Sequence, residues 1–309
     1  IAVLDCLAVT NQETVLIITD PPCKKIGLII YQVTQKIAKE ALYLEMTARE
    51  FNGEEPPHPV AQIMRQVDVV ICPTSRSLTH TTARREACKS GARVGTLPGI
   101  TEDIMIRTMN ADYHKIAELT HRVSDILDKG NSAVLTTALG THITLPIRGI
   151  SAISSTGLIT HPGNFGNLPS GESYLMPVEG KSEGVYYVDG SIAGIGKIAN
   201  KPIKITIKDG MAVEIRGGPQ AKKFEKMIDR VGPEARNLAE LGVGTNYMAK
   251  ITGNILEDEK VAGTVHLALG NNMSMGGTVN VSFHVDGIIT KPTLYIDDVP
   301  LIKEGHLRV

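Results

Sequence analysis

The chain has no tryptophan, and only 4% of its residues are aromatic. With a formal charge of −1 and no basic stripe, it offers neither an electrostatic track nor a stacking platform for nucleic acid, which is not an expected partner. No apolar run approaches the length of a membrane span, and the longest, around residues 26–30, is far too short. The opening residues do not read as a signal peptide. The four cysteines, Cys6, Cys23, Cys72 and Cys88, fall in the first third with no CxxC pair or other zinc spacing. They read as free thiols of a reducing, cytoplasmic compartment.

Familiar catalytic signatures are missing as well. There is no HExxH helix and no nucleophile elbow, so serine catalysis has nothing to rest on. The first apolar run, TVLII at residues 14–18, is closed by Asp20, Pro21 and Pro22 where a dinucleotide fold carries its glycines. A dinucleotide cofactor is therefore not expected.

What remains is an ordinary globular composition, 42% apolar and 21% charged over 309 residues, long enough for two domains. Residues 1–149 alternate apolar runs with helical patterns. Strands are predicted at 14–18, 41–47, 67–72 and 92–97, and helices at 26–40, 59–65, 79–90, 102–109 and 112–129, followed by an apolar pair at 133–136 and 142–146. Such alternation predicts a mostly parallel sheet covered on both faces. From residue 150 onward Gly, Val and Thr dominate, one helix is visible at 219–230, and Lys208, Asp209 and Gly210 mark a hairpin between IKITI and MAVEI. The expected fold is an α/β N-terminal domain, residues 1–149, followed by a strand-rich α+β C-terminal metal-binding domain, residues 150–309.

The chemistry concentrates in residues 263–286, GTVHLALGNNMSMGGTVNVSFHVD. As a strand, 265–269 turns Val265, Leu267 and Leu269 one way and His266 with Ala268 the other. A second run, 279–288, turns Val279, Val281, Phe283 and Val285 one way and Asn280, Ser282, His284 and Asp286 the other. The glycine-rich connection at 270–278 can fold the runs back so that their polar faces meet. Two imidazoles and a carboxylate on one side of a strand pair are the makings of a metal site. Asn280 and Ser282 are candidates to satisfy the second imidazole nitrogens.

Two further carboxylates bear on the site. Glu172 follows a loop in which Gly166, Pro169 and Gly171 fix the backbone, and Glu240 sits within an apolar run where it needs a cation or a wet face. Glu257, Asp258 and Glu259 read as a solvated acidic turn. His161 has no spacing argument behind it.

The ordered set NLPSGE, LAELGVGTN, EDEKVAGTVHLALG and SFHVDG resembles the aminopeptidase T and aminopeptidase S family of leucyl aminopeptidase-like metallopeptidases, over roughly residues 164–309. That resemblance implies a homodimeric, metal-dependent aminopeptidase with two divalent ions per subunit, zinc, cobalt or manganese, acting on peptide substrates. It places the ligands at Glu172, Glu240, His266, His284 and Asp286, with one carboxylate bridging and Glu172 and Glu240 in the catalytic machinery. The ions, about 3.5 to 4 Å apart, would share and activate a water.

One position departs from the family pattern: its tyrosine seven residues beyond the first histidine falls on Met273, and a thioether donates no hydrogen bond. A related group of the same fold, the iron-dependent 2,5-dihydroxypyridine dioxygenases, uses one iron held by two histidines and an aspartate, for which His266, His284 and Asp286 suffice. Met273 favours a third possibility, a non-catalytic member with an emptied site.

Overall fold

In the computed structural model, residues 2–309 are described. The chain divides into two compact units, residues 1–115 with 157–170, and residues 116–156 with 171–309.

The first unit is built on five parallel strands in the order Glu40–Glu45, Thr14–Thr19, Val69–Cys72, Arg93–Thr96, Phe165–Asn167. Helices Lys24–Thr34, His58–Met64, Thr82–Lys89 and Glu102–Thr108 come from the same unit. Strand Val69–Cys72 is buried along its whole length, as a strand covered on both faces must be. Asp20, the residue that stands where a glycine fingerprint would be, is tied into the local backbone. It caps the 3-10 turn Pro21–Cys23 and accepts from the Ser75 amide at 2.7 Å and hydroxyl at 2.6 Å.

The second unit stacks two antiparallel sheets. One has eight strands in the order Met211–Arg216, Ile203–Lys208, Glu183–Val188, His142–Pro146, Ser132–Thr136, Thr293–Ile296, Val299–Lys303, His306–Leu307. The other has seven, Gly196–Lys197, Ser191–Ile192, His284–Ile289, Val265–Gly270, Leu238–Gly244, Glu172–Leu175, Ile153–Ser155. Both feed one apolar core: Leu135, Tyr186 and Ile205 from the first meet Leu241, Leu267 and Val285 from the second, with Phe224 of helix Pro219–Asp229. The hairpin at Asp209 and Gly210 has both residues at positive φ, 49° and 71°, the twist that a two-residue connection requires.

The parallel α/β region followed by an antiparallel, strand-rich region is as expected, but no single cut separates the two units. Ser132–Thr136 and His142–Pro146, expected in the first domain, are zipped between Thr293–Ile296 and Glu183–Val188 of the second. Conversely, Phe165–Asn167 adds the edge strand to the parallel sheet. Long-range hydrogen-bonded pairing, invisible to local composition, decides both. The four cysteines are unpaired, and no helix among the described residues is long and apolar enough to cross a membrane.

Candidate metal centre

Small residues make room for the polar ones. On the face of the seven-stranded sheet turned away from the core, the register sets Glu240, Ala268 and Asp286 side by side across three strands, so the two carboxylates flank a single methyl group. In the next row Gly242 pairs with His266, and at the strand end Gly270 pairs with His284. Glu172 pairs with Gly244 on the far side of the Glu240 strand. A bulge between Leu238 and Glu240 lets Leu238 join the core while Glu240 keeps to the polar face, which strict alternation would forbid.

All five expected residues converge. His266 Nε2 lies 3.1 Å from Glu240 Oε1 and 3.6 Å from Glu172 Oε2. His284 Nε2 lies 3.3 Å from Glu240 Oε2 and 3.6 Å from Asp286 Oδ1. His266 is fully buried, whereas the His284 side chain is 35% exposed and forms the rim.

Two participants escaped the sequence reading. Lys260, 1% exposed, donates from Nζ to Glu172 Oε1 at 2.5 Å and to Glu259 Oε1. The side chains thus run acid to base from Glu259 through Lys260, Glu172, His266, Glu240 and His284 to Asp286. The signal for the lysine was there: a carboxylate among apolar residues needs a cation, and Lys260 stands just before the His266 strand. Tyr174, on the same side of its strand as Glu172, is the other; burial and the charges of Glu172 and Glu240 push its phenol well above the usual range.

The acidic turn is not solvated. Glu257 and Asp258 are fully buried. Asp258 accepts from the amides of Thr252 at 2.7 Å and Gly253 at 2.8 Å and from Ser191 Oγ at 2.6 Å, and Glu257 accepts from the Lys250 amide at 2.9 Å. Backbone donors turned inward here leave the carboxylates no reason to seek water.

The strand expected from residue 279 begins only at His284. Asn272, fully buried, accepts from the Val279 amide at 2.9 Å, and Glu179 accepts from Asn272 Nδ2 and from Thr278, so this segment is tied to side chains instead of a neighbouring strand. In consequence neither Asn280 nor Ser282 orients an imidazole. His284 Nδ1 donates to the Asn271 carbonyl at 2.7 Å, which aims Nε2 at the carboxylates. Met273 is exposed in the 3-10 turn Met273–Met275, and His161 is exposed in the first unit.

The electrostatics follow from burial set against pairing. Burial alone would raise the Glu240 carboxyl, but hydrogen bonds from both imidazoles bring it down to about 2. Burial would lower His266, yet Glu240 and Glu172 lift it to about 9, and Asp286 and Glu240 hold His284 well above its ordinary value in the same way. Burial, reinforced by Glu172 and Asp286 and offset by Lys260, raises Glu259 to about 8. Lys260 remains charged, because its two carboxylates outweigh the cost of burying it.

These residues suit a divalent cation. Glu240, His284 and Asp286 present donor atoms within 4.8 Å of one another, the one such group among the described residues. His284 Nε2 already lies 3.3 and 3.6 Å from the two carboxylate oxygens, close to the roughly 3.4 Å that separates donors about 2.1 Å from a shared tetrahedral ion. His266 adds a fixed imidazole whose Nδ1 is the one buried side-chain nitrogen or oxygen without a hydrogen-bond partner among the described residues.

Comparison with known proteins narrows the choice. The family model for NicX, 2,5-dihydroxypyridine 5,6-dioxygenase, matches residues 3–309. The structure of a 2,5-dihydroxypyridine dioxygenase from Pseudomonas putida KT2440 superposes with a TM-score of 0.85 at 17% identity, covering 99% of this chain and 95% of that one. Wild-type AmpT from Thermus thermophilus superposes with a TM-score of 0.71 at 14% identity, covering 100% and 98%. No curated protein matches. At these identities the two structures establish a shared fold, which includes that of the aminopeptidase expected from the motifs. The family model, running almost the whole length, goes further: the chain belongs to the 2,5-dihydroxypyridine 5,6-dioxygenase family.

Proposed function

We propose that this protein is a mononuclear, iron-dependent, ring-cleaving dioxygenase acting on a hydroxylated nitrogen heteroaromatic of the 2,5-dihydroxypyridine kind, with His266, His284 and Asp286 as the iron ligands. The observation that carries this reading is the presentation of two imidazoles and a carboxylate from two paired strands on one face, in a member of this family. A ferrous ion, when bound, supplies the one-electron chemistry that dioxygen requires, and a two-histidine, one-carboxylate set leaves positions open for substrate.

The chain's own side chains do the rest. Glu240, held ionised between the imidazoles while no ion is bound, lies close enough to His284 and Asp286 to join them as a further ligand once an ion replaces the protons on the ring nitrogens. The Asn271 carbonyl fixes the rim histidine, whose exposed edge marks the side from which a ring enters. Tyr174 keeps its phenolic proton and so has a hydrogen bond to give to an anionic ring oxygen.

The two-ion aminopeptidase is the second reading, supported by the approach of Glu172 to His266 at 3.6 Å. An oxygen electrode separates the two. Anaerobic loading with ferrous iron, then 2,5-dihydroxypyridine and air, should consume one dioxygen per substrate lost. No uptake, together with amino-acid release from a leucyl peptide after zinc or cobalt loading, would establish the hydrolase instead.

A further inference from the structure

Lys260 is a costly residue in its position: an ammonium group with essentially no exposure, in a pocket that also gathers two histidines. A buried charge persists only where close partners repay its desolvation. Glu172 Oε1 at 2.5 Å and Glu259 Oε1 do so from two directions.

The fold delivers the lysine to this point. Gly244, cross-strand partner of Glu172, is overlain by the backbone of residues 260 and 261: a β-carbon at 244 would fall 2.1 Å from the Val261 carbonyl oxygen. The Asn246 amide donates to the Lys260 carbonyl at 2.8 Å, and the Lys260 amide donates to the Glu257 carbonyl at 2.9 Å. A glycine, a backbone clamp and two carboxylates therefore converge on one ammonium.

We propose that Lys260 is the fixed cation of the site, standing where a second divalent ion would stand, so that the pocket takes one ion and Glu172 is withheld from it. This rests on the reading that the histidine cluster holds a metal, and it explains how one sheet face with five metal-binding side chains restricts itself to a single ion. Glu172 has one oxygen on the ammonium and the other turned to His266. It cannot face an ion with both. With both imidazoles bare, as metal ligands must be, and with even Glu259 counted as ionised, Glu172, Glu240, Glu259 and Asp286 with Lys260 sum to no more than minus three. One divalent ion brings this to minus one, whereas two would take it to plus one, with an ammonium beside the second ion in a poorly screened interior.

Metal counting tests this without any substrate. Native protein and the Lys260→Met variant are dialysed against cobalt or manganese, and bound ions per folded chain are determined by elemental analysis, with manganese electron paramagnetic resonance reporting whether two ions couple. Native protein should bind one ion and give an uncoupled signal. Lys260→Met should bind two, its second site tightened by at least about a hundredfold. Adding Glu172→Gln to that variant should return the count to one. Lys260→Gln, which retains an N–H donor for the carboxylates, gives the same readout should the methionine variant fail to fold. A native count of two overturns the proposal, as does a count of one in a folded variant lacking the ammonium. A native count of zero removes the metal reading itself and this proposal with it.

Discussion

The imidazole of His266 lies over the α-carbon of Gly242, its cross-strand partner, so closely that a β-carbon built on Gly242 would fall 1.9 Å from Nε2 and 2.2 Å from Cε1. Hydrogen is the one substituent that leaves the ring where it meets Glu240. Gly242→Ala must therefore push the ring off the sheet or distort two central strands. The expected cost is about 1–3 kcal/mol in unfolding free energy, together with loss of most metal affinity. Thermal melts with and without metal check both. An unchanged melt and unchanged affinity would show that the ring has somewhere else to go.

Replacing His284 with alanine tests the ligand assignment directly. The side chain stands at the rim and its removal leaves no core cavity, so the fold should survive while metal affinity falls by at least about a hundredfold. Calorimetric titration with ferrous or cobaltous ion reads this. Retention of the full metal complement would falsify the assignment.

Metal loading should release protons. In the metal-free chain His266 sits at about 9 and so carries its second proton at pH 7, and Asp286 and Glu240 shift His284 upward in the same direction. A ligand nitrogen must be bare. Apparent affinity should accordingly climb as pH rises toward 9. Titrations in two buffers of different ionisation enthalpy should give different apparent enthalpies, and identical values would argue against histidine ligation.

In the first unit, Glu13 grips Arg93 with both oxygens, at 2.8 and 3.0 Å, while Arg93 Nε donates to the Leu7 carbonyl. Burial raises the Glu13 carboxyl, but the arginine and the Thr10 amide win and hold it below its ordinary value of 4.5. A lowered folded-state value means stabilisation that is present above the unfolded value and lost as pH falls through the folded one. Melting temperature should drop on acidification below about 4.5, and Glu13→Gln should flatten that slope while lowering the plateau at neutral pH. A parallel acid slope in the variant would assign it to other carboxylates.

Asp258 satisfies four donors while fully buried, the amides of Thr252 and Gly253 and the hydroxyls of Thr252 and Ser191. Asp258→Ala strands them and should cost about 2–4 kcal/mol. Because the turn it anchors leads straight to Glu259 and Lys260, amide hydrogen exchange around residues 252–261 should quicken as well. Unaltered exchange there would mean that the turn is held from elsewhere.

How much of this was legible beforehand differs from residue to residue. His284 and Asp286 are two positions apart in an apolar-alternating run, and side-chain period alone puts them on one face wherever the strand lies. The alternation around His266 likewise sets it opposite Val265 and Leu267. The acidic turn misled because charge composition suggests water, whereas inward-pointing backbone amides reward the opposite choice. Asn280 and Ser282 looked like outer partners only so long as the strand was taken to begin before them.

Sequence by itself determined the two sheet types, most of the element positions and the polar face on which the histidines stand, because these follow from periodicities that each segment carries within itself. Tertiary structure alone decided that Ser132–Pro146 is zipped into the second unit, that a bulge keeps Glu240 on the histidine face, and that Lys260 reaches Glu172 over a bare glycine. Those outcomes depend on which strand lies beside which and how closely backbones approach, and such distances arise only when segments far apart in the chain compete for the same hydrogen bonds and the same buried space.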